Sequence, residues 1–441
     1  MKMKNTPIDS RIVELKIKEN HLSNVGTASI REIKKLVDDI EAATGQRFVR
    51  MEMGIPGLPA TQIGVDAEIA ALNKGVAAIY PDIHGIPELK REVSRFAKSF
   101  LDIDVDPAGC LPTVGSLQGC FAAFMTLNRA WVDRDTTLFI DPGFPVHKQQ
   151  LQVLGHKWKS FDVYEYRGQK LRAKLESFLE NGDISCLLYS NPNNPSWICF
   201  TEEELGIIAE LAGKHDVVVL EDLAYFAMDF RQDLSKPGKP PFQPTVAKLT
   251  DNYILFISSS KAFSYAGQRI GMMLISDKLF HSRAPGLKRY YRTDLFGHAM
   301  IFGTLYSLSS GVTHSAHYAL AAMLKAANDG ELDFVETVKE YGRKAKIMKK
   351  LFTDNGFDIV YDRDIDEPIA DGFYFTFSYP GFTGAELVHT LVFYGVSAIS
   401  LAITGSERLE GVRACVSLTQ REQFPELESR LKKFHADHPI K

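Results

Sequence analysis

Residues 258–271 read SSSKAFSYAGQRIG, one lysine, Lys261, among hydroxyl and glycine positions with Arg269 eight residues later. An amine in such company can attack a carbonyl or move a proton once burial or a nearby cation brings its pKa toward neutrality. Other segments offer complementary groups. LEDLAYF (220–226) supplies a carboxylate, Asp222, and a phenol, Tyr225. NPNNPSW (191–197) supplies an amide, Asn194; DPGFP (141–145) an aromatic ring, Phe144; and GVRACVSL (411–418) a guanidinium, Arg413. VGSLQG (114–119) sets Gly115, Ser116 and Leu117 at the head of a helical pattern, where free N–H groups and the helix dipole favour an anion. Each group alone has a plainer use: a solvated lysine, a capping carboxylate, a surface ion pair, a core ring.

The elements that must position these groups follow from the apolar pattern. TLFID (137–141), CLLYS (186–190), VVVL (217–220), YILFIS (253–258) and MMLI (272–275) are continuous apolar runs separated by helical patterns, which indicates a mostly parallel sheet covered on both faces, a three-layer α/β/α arrangement. Helices are expected over Ser29–Ala43, with Ser29 and Glu32 as a capping box, and over about Thr201–Lys214, with Thr201 and Glu204 as another. In such a sheet ligands bind beyond the carboxyl ends of the strands, and the chemical residues above fall there. From about Glu331 the pattern becomes a charged helix and then GFYFTFSY (372–379), where Phe373, Phe375 and Phe377 alternate with other residues, a half-buried strand. The expected division is a large domain over 61–326 and a smaller α+β domain formed by 1–60 plus 327–441. The loop RQDLSKPGKPPFQP (231–244) is irregular and is expected to reach the site entrance.

A stacking ring, an amide, a carboxylate, a phenol, an amine and an anion cradle are together what pyridoxal phosphate requires. In order along nearly the whole chain, IYPDIHGIPELKREVSRF (79–96), VGSLQG, DPGFP, NPNNPSW, LEDLAYF, SSSKAFSYAGQRIG and GVRACVSL resemble the motifs of the class I/II aminotransferases, the fold-type-I pyridoxal-phosphate family. The resemblance implies a ping-pong exchange of an amino group between an amino acid and a 2-oxo acid. Lys261 would hold the cofactor as a Schiff base and then act as general base. Asp222 would pair with the pyridine nitrogen, and Tyr225 and Asn194 would bond its ring oxygen. Phe144 would stack on the ring, and Gly115, Ser116, Leu117, Ser258 and Arg269 would hold the phosphate. Tyr80 would join them from the partner subunit of a homodimer. Arg413 would clamp the substrate carboxylate, with Asn194 and backbone near Gly54 assisting. The family's loop ends Asn-Pro-Thr-Gly, whereas this chain has Asn194-Pro195-Ser196-Trp197; the indole is expected to narrow the substrate pocket or to turn into the core.

Rival readings are weighed by completeness. A lyase or decarboxylase on the same scaffold would use the same cofactor residues. Ser258 and Lys261 also satisfy the S-x-x-K motif of acylating serine enzymes, but Tyr189-Ser190-Asn191, which resembles their second motif, precedes the serine, and no K-T-G or K-S-G occurs. A pyridoxal-phosphate-sensing regulator would need a basic DNA-binding domain ahead of the fold. The 441 residues carry a net charge of −4, with no basic surplus for nucleic acid. No apolar run approaches a membrane span, and the N-terminus lacks a signal-peptide pattern. A cytoplasmic enzyme is expected. The five scattered cysteines form no C-x-x-C pair, His314 and His317 lack ligand companions, and DIDVD (102–106) lacks the rest of a calcium loop. No metal site is expected.

Overall fold

The computed structural model describes residues 6–440. Seven strands form the main sheet: β1 (Cys110–Thr113), β2 (Thr136–Asp141), β3 (Lys157–Asp162), β4 (Ile184–Ser190), β5 (Val218–Leu223), β6 (Tyr253–Ser258) and β7 (Gly271–Ile275). Their order is β1-β7-β6-β5-β4-β2-β3. Neighbours from β6 through β3 pair in parallel, whereas β7 runs antiparallel to both β6 and β1. The carboxyl ends of every strand but β7 therefore share one edge. Every residue of β2 and of β4 to β7 is buried, as continuous apolar runs require when helices cover both faces.

The five anticipated strands are present, β4 and β5 extending by two and three residues beyond the apolar runs. Two edge strands were not anticipated. β1 is only four residues long, and β3, KWKSFD, exposes most of its first four residues, so neither carries a continuous apolar signal. Both anticipated capping boxes form. Ser29 accepts from Glu32 N at 3.3 Å while Glu32 accepts from Ser29 N at 2.7 Å, starting helix Ile30–Thr44. Thr201 and Glu204 do the same at the head of Glu202–Lys214.

The C-terminal part carries a second, antiparallel sheet of β8 (Asp358–Ile359), β9 (Tyr374–Ser378), β10 (Ile399–Ser400) and β11 (Val412–Cys415), ordered β10-β11-β9-β8. The strand expected to be half-buried, β9, is buried at every residue except Ser378, because helix Phe334–Thr353 packs there through Phe352, whose ring lies 4.4 Å from that of Phe377. The N-terminal segment attaches to this part: Val49–Arg50 pairs in parallel with Val396–Ser397, and Ile8 N–H donates to the Phe393 carbonyl at 3.1 Å.

The 231–244 loop is tied to helix Pro87–Leu101 and stays off the cavity described below. Gly238 N–H donates to Ser99 O at 2.7 Å and Gln243 N–H to Phe100 O at 3.0 Å, and no residue of 231–244 lines the cavity described below. The expectation that it reaches the site is thereby corrected. All five cysteines are free and buried. Among the described residues no helix is long and apolar enough to cross a membrane, and no cluster of His, Cys, Asp and Glu could hold a metal ion. His317 is fully buried and burial pushes its pKa down to about 4, so it is a neutral core side chain.

Candidate active site

A cavity of about 670 Å³ opens at the carboxyl edge of the main sheet. The sheet contributes Phe144 after β2, Asn194 after β4, Asp222 and Tyr225 at and after β5, and Ser258, Lys261 and Arg269 after β6. The second sheet contributes Tyr374 and Arg413, and the 53–56 segment supplies Gly54.

Lys261 sits in the helical turn Ser259–Ala262, whose cap is Ser258: its hydroxyl accepts from Ser260 N–H at 3.1 Å. Ser258 is thus engaged with backbone and not with the lysine, against the acylating-serine reading. Burial pushes the Lys261 amine down to about 8, with Arg269 and Arg413 lowering it further and Cys415 and Asp222 opposing. Asp222 is 7% exposed and takes one bond, from Ala224 N–H at 3.1 Å. Burial pushes its carboxyl up to about 7, against that bond and the Lys261 charge. Both groups are held near neutrality in one cavity, a mark of sites whose charges are completed by a ligand.

The anion end is built on glycines. Gly115, at φ +68, opens the 13-residue helix Gly115–Leu127. A Cβ there would lie 2.6 Å from Arg269 Nη2, and one at Gly271 would lie 3.0 Å from Ser116 N. Backbone and guanidinium therefore converge where only glycine fits. Arg269, itself at φ +51, donates to Ala266 O at 2.8 Å. Ser116 and Leu117 line the same wall. Helix N–H groups, a hydroxyl and a guanidinium form a donor set for a phosphate. An acceptor for a pyridinium, an amine for an aldehyde and this cradle fit pyridoxal phosphate.

At the other end Arg413, 1% exposed, lies on β11 and donates to Glu52 O at 2.5 Å and to Asn194 Oδ1 at 3.3 Å. Its Nε has no partner among the described residues, and its guanidinium stands 4.5 Å over the Tyr374 ring. The Tyr374 hydroxyl shares a 2.8 Å bond with that of Tyr225, and a Cβ on Gly54 would lie 2.0 Å from it, so glycine at 54 admits this phenol.

Three expected site residues are not on the cavity's own lining: Gly115, which stands against the lining residue Arg269, Trp197 and Tyr80. Trp197 is fully buried at φ +67, its ring 5.4 Å from that of Tyr225 and pressed on Gly372, and it does not line the cavity. Of the two alternatives expected for it, the structure shows the core one and not a place on the substrate pocket; the left-handed backbone turns the indole inward, behind the phenols. Tyr80 is 89% exposed and does not line this cavity. Sequence reasoning missed Tyr374, indistinguishable there from its aromatic neighbours, and also His147, Thr404, Lys148 and Arg31. His147 had a faint signal: it follows Phe144 by three residues in the first turn of helix Pro145–Leu154, a spacing that shares one face.

A three-layer sheet with an amine, a buried carboxylate and an anion cradle at its strand ends defines a pyridoxal-phosphate enzyme. The sequence profile of the family described as "Aminotransferase class I and II" matches residues 57–365. The chain is 27% identical over 301 residues to a probable aspartate aminotransferase of Methanocaldococcus jannaschii, covering 68% of this chain and 71% of that one. It is 23% identical over 327 residues to the LL-diaminopimelate aminotransferase of Natranaerobius thermophilus, covering 73% and 80%. Its fold matches the crystal structure of aspartate aminotransferase from Thermotoga maritima with a TM-score of 0.74 at 19% identity, over 96% and 99% of the two chains. The chain belongs to the class I and II aminotransferases, pyridoxal-phosphate enzymes that transfer an amino group between an amino acid and a 2-oxo acid.

Proposed function

We propose that Lys261 is the covalent and proton-transferring centre of this transaminase. The observation that carries this reading is the amine held at about 8 in one cavity with a carboxylate held at about 7. Pyridoxal phosphate, when bound, draws electron density from the substrate α-carbon. Asp222 would accept a hydrogen bond from the ring nitrogen and so keep it protonated. Tyr225 and Asn194 would donate to the ring oxygen, Phe144 would lie against the ring, and Gly115, Ser116, Leu117, Ser258 and Arg269 would hold the phosphate. Arg413 binds the α-carboxylate through two parallel N–H donors, its Nε being without a protein partner, with Asn194 and Gly54 beside it. Lys261 Nζ would be the base that moves the α-proton, and the 2-oxo acid would leave before the second substrate enters.

The same reading makes the protein a cytoplasmic homodimer in which Tyr80 reaches the partner subunit's phosphate; its 89% exposure in the single chain leaves it available for that. It divides the chain into a large domain over 61–326 and a small domain over 1–60 plus 327–441. Borohydride reduction of the reconstituted protein followed by peptide mass spectrometry tests the central assignment. A pyridoxyl group on Lys261 and loss of turnover in Lys261→Ala are expected; a label elsewhere, or a Lys261→Ala protein that still transaminates, overturns it.

A further inference from the structure

The cavity holds five cationic side chains: Arg31, Lys148, Lys261, Arg269 and Arg413. Four have evident duties under the reading above. Lys261 moves the proton, Arg269 faces the phosphate cradle, Arg413 faces the α-carboxylate, and Lys148 is paired with Asp141, which is 1% exposed. Arg31 remains. It stands in the first turn of helix Ile30–Thr44, fixed by the Ser29–Glu32 capping box, with Ile30 beside it on the cavity wall. Among the described residues no carboxylate lies within ion-pair distance of it, whereas the neighbouring basic residues on this helix, Lys34 and Lys35, each hold an aspartate at 2.6 and 2.7 Å. Ile30, Met53, Ile55 and Pro56 give the same cavity an apolar part of its lining, and Arg31 itself is exposed. The two carboxylates of the cavity, Asp141 and Asp222, lie at the main-sheet strand ends and are already assigned. The cavity that presents Arg413 to an α-carboxylate thus also carries apolar lining and one cation, Arg31, with no carboxylate among the described residues to pair with.

Resting on the proposed transaminase reading, we infer that Arg31 sets side-chain preference, selecting amino acids and 2-oxo acids whose side chain ends in a carboxylate. Apolar lining lets the methylenes pass, and a guanidinium presents a planar fork matched to a carboxylate. A charge-assisted contact of this kind is worth about 10- to 100-fold in affinity.

The test is a single-turnover donor screen on the reconstituted holoenzyme, comparing glutamate and aspartate with the uncharged norvaline and glutamine, for wild type, Arg31→Gln and Arg31→Lys. The readout is the ratio of kcat/KM for acidic over neutral donors within one preparation, so that loss of folded protein cancels. Wild type is expected to favour acidic donors, Arg31→Gln to lower the ratio about 10- to 100-fold through KM, and Arg31→Lys to recover part of it. Preference for neutral donors in wild type, or an Arg31→Gln ratio within about threefold of wild type, overturns the inference. If no donor at all converts the cofactor, it is the transaminase assignment of the site that fails.

Discussion

Replacing Trp197 by glycine, the residue the family's loop carries, separates two uses of an indole beside an active site. Trp197 is fully enclosed, edge-on to Tyr225 at 5.4 Å and Tyr374 at 6.2 Å, and absent from the cavity wall. Removing a buried tryptophan costs about 3–5 kcal/mol in transfer and cavity terms. Two features of the wild-type residue offset this. Its backbone is left-handed, at φ +67, which costs an L-residue roughly 1–2 kcal/mol and glycine almost nothing. Its Nε1 is buried without a partner, a desolvation penalty of roughly 1–3 kcal/mol that vanishes with the ring. The net expectation is a small destabilisation of about 0–1 kcal/mol, read as a slightly lower urea midpoint at unchanged slope. Because the indole backs the two phenols without reaching substrate, the relative kcat/KM of different donors should move by less than about threefold even if every donor slows. A tenfold change in donor ratio would refute the assignment of Trp197 to packing.

Three further outcomes follow from the geometry. Gly115→Ala places a methyl against Arg269 Nη2 and forces an L-residue to φ +68, so cofactor affinity should fall about 10-fold or more by fluorescence titration. Glu221, buried and bonded by Tyr189 and Thr245, has its carboxyl pushed up to about 7 by burial; a folded pKa above the unfolded value of 4.5 means that the folded state binds more protons, so this group's contribution to stability falls as pH rises from about 4.5 to 7. Subtracting a Glu221→Gln profile in denaturant titrations should isolate that slope, worth up to about 3 kcal/mol across the window. Covalent capture of pyridoxal phosphate by the apoprotein should rise with pH around 8 as Lys261 loses its proton, and Asp222→Asn, which removes a charge that raises that pKa, should move the midpoint lower; stopped-flow absorbance reads both, and a midpoint near 10.5 would contradict the burial of Lys261.

The parts of the fold legible in the sequence were those with one dominant cause. β2 and β4 to β7 lie inside a sheet covered on both faces, so their apolar runs were continuous, and the capping boxes at Ser29 and Thr201 are local chemistry. β3 escaped because its outer residues alternate lysine with aromatic or hydroxyl side chains at an exposed edge. In the site, the groups read as chemical were those placed by a strand end. Tyr374 was not legible because its direction depends on the register of β9 with β11, in which Thr376 lies opposite Arg413. The direction of Trp197 was left open between pocket and core because a single φ angle decides it. Arg31 drew no attention because its meaning lies in residues more than 300 positions away and in the lack of a carboxylate near it.

The eight-residue interval between Lys261 and Arg269 has a structural cause in the one antiparallel strand. A chain leaving β6 at the carboxyl edge and entering a parallel strand would have to cross to the far edge of the sheet first. Because β7 runs back antiparallel, its first residue stands at the edge where β6 ended: Gly271 pairs with Ser258 on one side and with Thr113 of β1 on the other. The excursion from 258 to 271 therefore never leaves the site, and it can place the amine at its start and the guanidinium at its end. The same register sets Gly271 against Ser116 N, immediately after β1. Three strand ends, from β1, β6 and β7, thus meet in one row, and the anion cradle is assembled from segments more than 140 residues apart in the chain by a single reversal of strand direction.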